Sequence, residues 1–140
     1  LSCSGVGKAY LASLDPAQAL ALFEAAPRTA RTPRTILTPD GFREELERVR
    51  RQGYAVDDEE METGVRCVAA LIRQTGGLAA GALSVSGPSA RLTPEAIPGL
   101  GQRVARAATD ISALLGHGRA GSDTPQEAAG TPRPPDQPHS

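Results

Sequence analysis

Five of the six residues from Asp57 to Glu62 are acids, and after Thr63 and Gly64 the chain enters "VRCVAALI", which has the composition of a buried strand. Carboxylates at this density can bind a hard cation through oxygen, line a ligand pocket, or form a solvated connection between elements. The run "DDEEMETG" lacks the alternating Asp/Asn spacing and the downstream Glu of an EF-hand loop. His117 and His139 are the only histidines, and both lie in a C-terminal stretch without core-forming residues. Ser-His-Asp catalysis, Cys-His catalysis and histidine-based zinc are therefore not expected in the folded part. Cys3 and Cys67 are too few for a structural zinc site. No metal, cofactor or catalytic residue is expected; the acids are read as a mostly solvated loop or as a pocket wall.

Three other stretches carry polar groups at suggestive spacings. "SGVGKAY", Ser4 to Tyr10, resembles a phosphate loop only in part, because Ser2 stands where the first glycine belongs and Ala9 follows Lys8. Nucleotide hydrolysis is not indicated. Gly5 and Gly7 still permit close approach of the backbone, and the helix that follows aims N–H groups toward its start. That suits a small carboxylate, or it is a glycine turn before a packed helix. In "ALSVSG", Ser84 and Ser86 put both hydroxyls on one face of a strand, bonded to backbone or water or else lining a polar pocket. Cys67 is either a small buried hydrophobe or a thiol facing the same space.

These groups need a scaffold, and 140 residues suit one domain. From His117 to Ser140 the chain has five of its twelve prolines and no Val, Ile, Leu or aromatic residue, so 117–140 is read as a disordered Pro-rich tail. Removing the tail's two arginines and three acids from the chain's 15 basic and 16 acidic residues leaves 13 of each in residues 1–116. A neutral domain has no general electrostatic pull on DNA or anionic lipid. No stretch is long and apolar enough to span a bilayer, no signal peptide opens the chain, and two cysteines make no disulfide framework, so a reduced cytoplasmic setting is expected. Beginning at Leu1 with a glycine turn and helix, the chain looks cut from something longer.

Helices and strands follow from pattern. Gly7 to Leu14 is a short apolar helix candidate with Lys8 its only charge. Asp15 and Pro16 open a helix to about Ala26, with Gln18 at the capping-box position. Residues 27–38 are a loop. Thr38-Pro39-Asp40 opens another helix, with Phe42, Leu46 and Val49 on one face and Gly53 at its end. Strands are predicted from Tyr54 to Asp57, Val65 to Ile72 and Leu78 to Ser86, the last two joined as an antiparallel hairpin. A final helix opens at Thr93-Pro94-Glu95, interrupted by Pro98 and capped by Gly116, with Ile97, Leu100, Val104, Ala107, Ile111 and Leu114 as its apolar stripe. The result is a mixed α+β domain with a thin, partial antiparallel sheet flanked by helices.

"LSCSGVGKAYLASL", "TPRTIL", "GYAVDDEEMETGVRCVAALI", "ALSVSGP" and "ISALLG", taken together, resemble the IclR family of bacterial transcription regulators over most of residues 1–116. The resemblance implies the C-terminal part of an effector-binding domain of GAF-like fold. It implies a small-acid pocket built from Gly5, Val6, Asp57, Cys67, Ser84 and Ser86, with Ser2 standing where relatives often have His. Strand hydroxyls, loop N–H groups and a thiol suit a small organic acid. Asp57 would accept from a ligand hydroxyl while disfavouring a simple anion, and Asp58, Glu59, Glu60 and Glu62 are assigned to solvent or to the loop flanks.

The expected function is effector sensing in a transcription regulator, acting on DNA only through an N-terminal winged helix-turn-helix domain absent from this chain. A homo-oligomer (dimer or tetramer) and no membrane contact are further expectations. The other readings are a stand-alone sensor and a Cys-dependent hydrolase, which would need an unusual base.

Overall fold

The computed structural model describes residues 2–27 and 29–116. The Pro-rich stretch from 117 onward lies outside the described residues. Within them the order is α1 (Gly5–Ser13), α2 (Pro16–Ala25), α3 (Pro39–Gln52), β1 (Ala55–Asp58), β2 (Val65–Arg73), β3 (Ala79–Pro88) and α4 (Ile97–Leu114), with a short 3-10 turn at Thr75–Gly77. The strands form one antiparallel sheet in the order β1-β2-β3, an α+β arrangement as the sequence predicts.

Local chemistry sets most element ends. Thr38 caps α3 by accepting from the Gly41 N–H, Pro39 occupies the first turn, and Gly53 ends the helix in the left-handed region at φ 84°. Asp15 caps α2 through the Ala17 N–H. The β2–β3 connection turns through Gly76 and Gly77, both at positive φ.

The strand bounds move by one or two residues, and two helix starts shift. The first helix starts at Gly5, two residues early, because the Ser4 side chain accepts from Gly7 N and serves as N-cap. The last helix starts at Ile97, after a turn over 94–96, which places Pro98 in the first turn, where a missing N–H costs nothing.

Helices cover both faces of the sheet. On one, α1 and α3 close over Ala55 with α2 behind them, and Phe23 stacks on Phe42 at 4.3 Å between ring centroids. On the other, α4 covers Val68 and Ala70 together with Tyr54. The α4 stripe differs from the predicted one in its second half. Ile97, Gly101, Val104, Ala108 and Ser112 are buried, whereas Ile111 is 36% and Leu114 81% exposed. Small residues won because the helix lies close to its neighbours. A Cβ built on Gly101 would fall 2.4 Å from the Tyr54 ring.

Candidate functional site

Antiparallel register decides which side chains share a face. Asp57 pairs with Cys67 and Cys67 with Ser86, while Ala55, Ala69 and Ser84 form the next row on the same face. The N-terminal end of α1 lies above these rows. It comes close because Gly5 has no side chain: a Cβ there would sit 3.2 Å from Cys67 Sγ and 3.3 Å from Ala69 Cβ. A cavity of about 230 Å³ remains between helix end and sheet, lined by Ser4, Gly5, Val6, Asp57, Cys67, Ser84 and Ser86, with Met61, Glu62 and Val65 completing its wall. All six sequence-predicted site residues therefore border one space.

Their environments are unequal. Asp57 and Gly5 are buried, Cys67 is half-buried, and Val6, Ser84 and Ser86 are exposed, so the cavity opens to solvent along β3. Asp57 Oδ1 accepts from the N–H groups of Glu60 (2.9 Å) and Met61 (3.3 Å), which fixes the carboxylate and satisfies part of its charge. At the start of α1, Ser4 satisfies the N–H groups of Gly7 and Lys8 through its hydroxyl and carbonyl. The N–H groups of Gly5 and Val6 precede any intrahelical acceptor and lie at the positive end of the helix dipole. Val6 supplies an apolar side together with Met61 and Val65, the two lining residues that the motif reading missed.

The acid run divides residue by residue, and one expectation is overturned. Glu60, assigned to solvent, is only 4% exposed. Its Oε2 lies 2.6 Å from the ammonium of Lys8 and accepts from the Asp58 N–H at 3.0 Å, while Oε1 is buried without a partner among the described residues. Burial raises its carboxyl above the ordinary value of 4.5, with Lys8 opposing the shift. Asp58 and Glu59 sit on the loop flank as expected, but paired: Asp58 with Arg66 at 2.7 Å and Arg34 at 2.9 Å, Glu59 with Arg34 at 3.4 Å. The Gly64 N–H, then Ser89, holds Glu59 below the ordinary carboxylate value. Glu62 is exposed, as expected. Thr32 and Thr35, in the 27–38 loop, donate to the carbonyls of Glu59 and Glu60 and pin the turn. Basic partners thus offset the charges of Asp58, Glu59 and Glu60, and among the described residues no group of three or more His, Cys, Asp or Glu side chains could hold a metal ion.

Lys8 is the residue that sequence reasoning passed over. It is 1% exposed, and its ammonium also reaches Glu45 of α3 at 3.0 Å and the Val56 carbonyl of β1. A single charge in an otherwise apolar helix, in a chain with an acid run elsewhere, was the available signal.

The family profile described as bacterial transcriptional regulator IclR C-terminal matches residues 1–113. The chain belongs to the IclR family. Among curated IclR-type relatives, the acetate operon repressor of Salmonella typhimurium is 35% identical over 116 residues, which are 83% of this chain and 42% of that protein. The chain thus spans less than half the length of that relative. Among solved structures, the Agrobacterium tumefaciens repressor BlcR aligns with a TM-score of 0.77 at 29% identity, covering 83% of this chain and 47% of that one. The inducer-binding domain of the PobR transcription factor from Acinetobacter, a double mutant in complex with 3-hydroxybenzoic acid, aligns at 0.73 and 27% identity, covering 81% and 65%. Among the described residues of this IclR-type domain, no helix is long and apolar enough to cross a membrane.

Proposed function

We propose that this chain is the effector-sensing part of an IclR-type transcription regulator, and that its effector is a small organic acid held between the start of α1 and the open face of the sheet. The observation that carries the reading is the row Asp57–Cys67–Ser86, with Ser84 beside it, under the N–H groups of Gly5 and Val6. Donors converge there from two directions. The helix N–H groups and the serine hydroxyls suit a carboxylate, Asp57 accepts from a ligand hydroxyl, and Val6, Met61 and Val65 take the hydrocarbon body. Because the Asp57 charge repels a bare anion, the pocket favours acids that bring a hydroxyl or hydrated carbonyl. The acid bound to the PobR domain, 3-hydroxybenzoic acid, has this composition.

Binding acts on transcription through a helix-turn-helix domain outside this chain, in a cytoplasmic homo-oligomer. Residues 1–116 are neutral overall and exert no general electrostatic pull on DNA. Sensing is favoured over hydrolysis, since Cys67 has no histidine in the described fold to activate it.

Calorimetric titration with acetate, pyruvate and 3-hydroxybenzoate tests the reading. Changing both Ser84 and Ser86 to Ala should remove about 1.5–3 kcal/mol per hydrogen bond to the bound carboxylate, a loss of at least tenfold in affinity. Asp57→Asn should change the preference among the three acids rather than weaken all of them equally. Unchanged affinity in the double serine variant for an acid that the parent binds would refute the proposed pocket.

A further inference from the structure

A buried lysine survives in a fold only if its three hydrogens find acceptors, and Lys8 finds one from each of three segments. These are Glu45 Oε1 of α3 at 3.0 Å, Glu60 Oε2 of the β1–β2 loop at 2.6 Å, and the Val56 carbonyl on the edge strand β1. Glu60 is the partner that reaches the pocket. Its N–H donates to Asp57 Oδ1 at 2.9 Å, its carbonyl accepts from Thr35 at 2.6 Å, and its Oε2 accepts from the Asp58 N–H at 3.0 Å. The unpartnered Oε1 means that Lys8 is the only cation bonded to this carboxylate among the described residues. Lys8 also belongs to the helix whose first two residues, Gly5 and Val6, line the same cavity. One ammonium thus ties together the two walls of the pocket, the start of α1 and the Asp57 turn, from outside the cavity. Neither Lys8 nor Glu60 lines it.

We propose that Lys8 and Glu60 are positioning residues of the acid pocket: their buried bridge sets the distance and orientation of the Asp57 carboxylate relative to the N-terminal turn of α1. Glu45 shares the ammonium but makes no bond to the Asp57 turn, and it has a second partner in Arg48 at 3.2 Å. The two carboxylates on one lysine therefore differ in what they hold. The inference rests on the acid-pocket reading above.

Glu60→Gln and Glu45→Gln each remove one charge from Lys8 with little change of shape, and they separate positioning from general stability. Titrated with acetate, pyruvate and 3-hydroxybenzoate, Glu60→Gln should weaken binding on the order of tenfold, as loss of an orienting partner does, with Glu45→Gln within about twofold of the parent. Glu60→Gln should also reduce the preference for 3-hydroxybenzoate over acetate, as Asp57→Asn does, which a simple loss of stability would not. Equal effects of the two variants, or an unchanged preference in Glu60→Gln, overturn the proposal. If the parent binds none of the three acids, the acid-pocket reading fails by itself, and amide hydrogen exchange then decides the bridge. Faster exchange at residues 60 and 61, whose N–H groups Asp57 holds, in Glu60→Gln but not in Glu45→Gln sustains it, and equal protection in both refutes it.

Discussion

The two faces of the sheet use the same three strands for opposite purposes. Val56, Val68 and Val85 form one row on the α4 side; a single step along each strand turns to Asp57, Cys67 and Ser86 on the α1 side. On the first face α4 lies down along its length and excludes water from Val68 and Ala70. On the second, α1 touches the strands closely at Gly5 and leaves a cavity beside the contact. The difference teaches that strand alternation sends neighbouring residues to a closed face or to a cavity wall, so substitutions one residue apart there should have effects of different kinds.

The largest effect should come from the charge that serves both. Lys8→Met leaves Glu60 buried without a cation, and breaking a buried pair from one side costs about 3–5 kcal/mol. Urea unfolding should show a markedly lower midpoint. A midpoint equal to the parent's would mean that the bridge contributes nothing net to stability.

Next in size is the closed face. Val68→Ala should cost about 2–3 kcal/mol from lost burial and the cavity left under α4, with little change in acid affinity. The double Ser84, Ser86→Ala change should behave in reverse, leaving the unfolding midpoint within about 0.5 kcal/mol of the parent while binding is lost, because both serines are exposed. Similar unfolding curves for the two variants would erase the distinction between the faces.

Smaller still is the effect of pH, where two adjacent acids should act in opposite senses. Burial raises Glu60 above 4.5, so the folded state takes up its proton before the unfolded state does. The cost of the buried charge is then relieved as pH falls through the folded value toward 4.5, and stability rises on this account. Glu59, held below 4.5 mainly by the Gly64 N–H, contributes stability that is present above 4.5 and lost as pH falls through its lowered value. Chemical unfolding of the parent, Glu59→Gln and Glu60→Gln across this range should show the Glu60 dependence above 4.5 and the Glu59 dependence below it. The smallest effect should be that of Glu62→Ala, within about 0.5 kcal/mol in stability, since that side chain is exposed.

Much of this molecule is determined by short-range chemistry, and that part is legible in the sequence. Thr38, Pro39 and Gly53 bound α3 wherever it sits, and Phe42, Leu46 and Val49 mark its buried face. Alternation along "SVS" puts both hydroxyls on one side of β3 before any partner strand is known. The IclR-type motifs marked the six residues that prove to border one cavity. Tertiary structure alone decided matters that depend on distance between segments. The burial of Glu60 was one, because an acid in a charged run is solvated unless a cation far along the chain comes to it, and Lys8 is 52 residues away in sequence. The inner stripe of α4 was another. Hydrophobicity favoured Ile111 and Leu114, but the fold sets Gly101 against the Tyr54 ring and turns Ser112 to β2, where its hydroxyl accepts from the Arg73 N–H. Residue type records what a side chain prefers when water is the alternative, and only the assembled fold says which neighbour replaces the water.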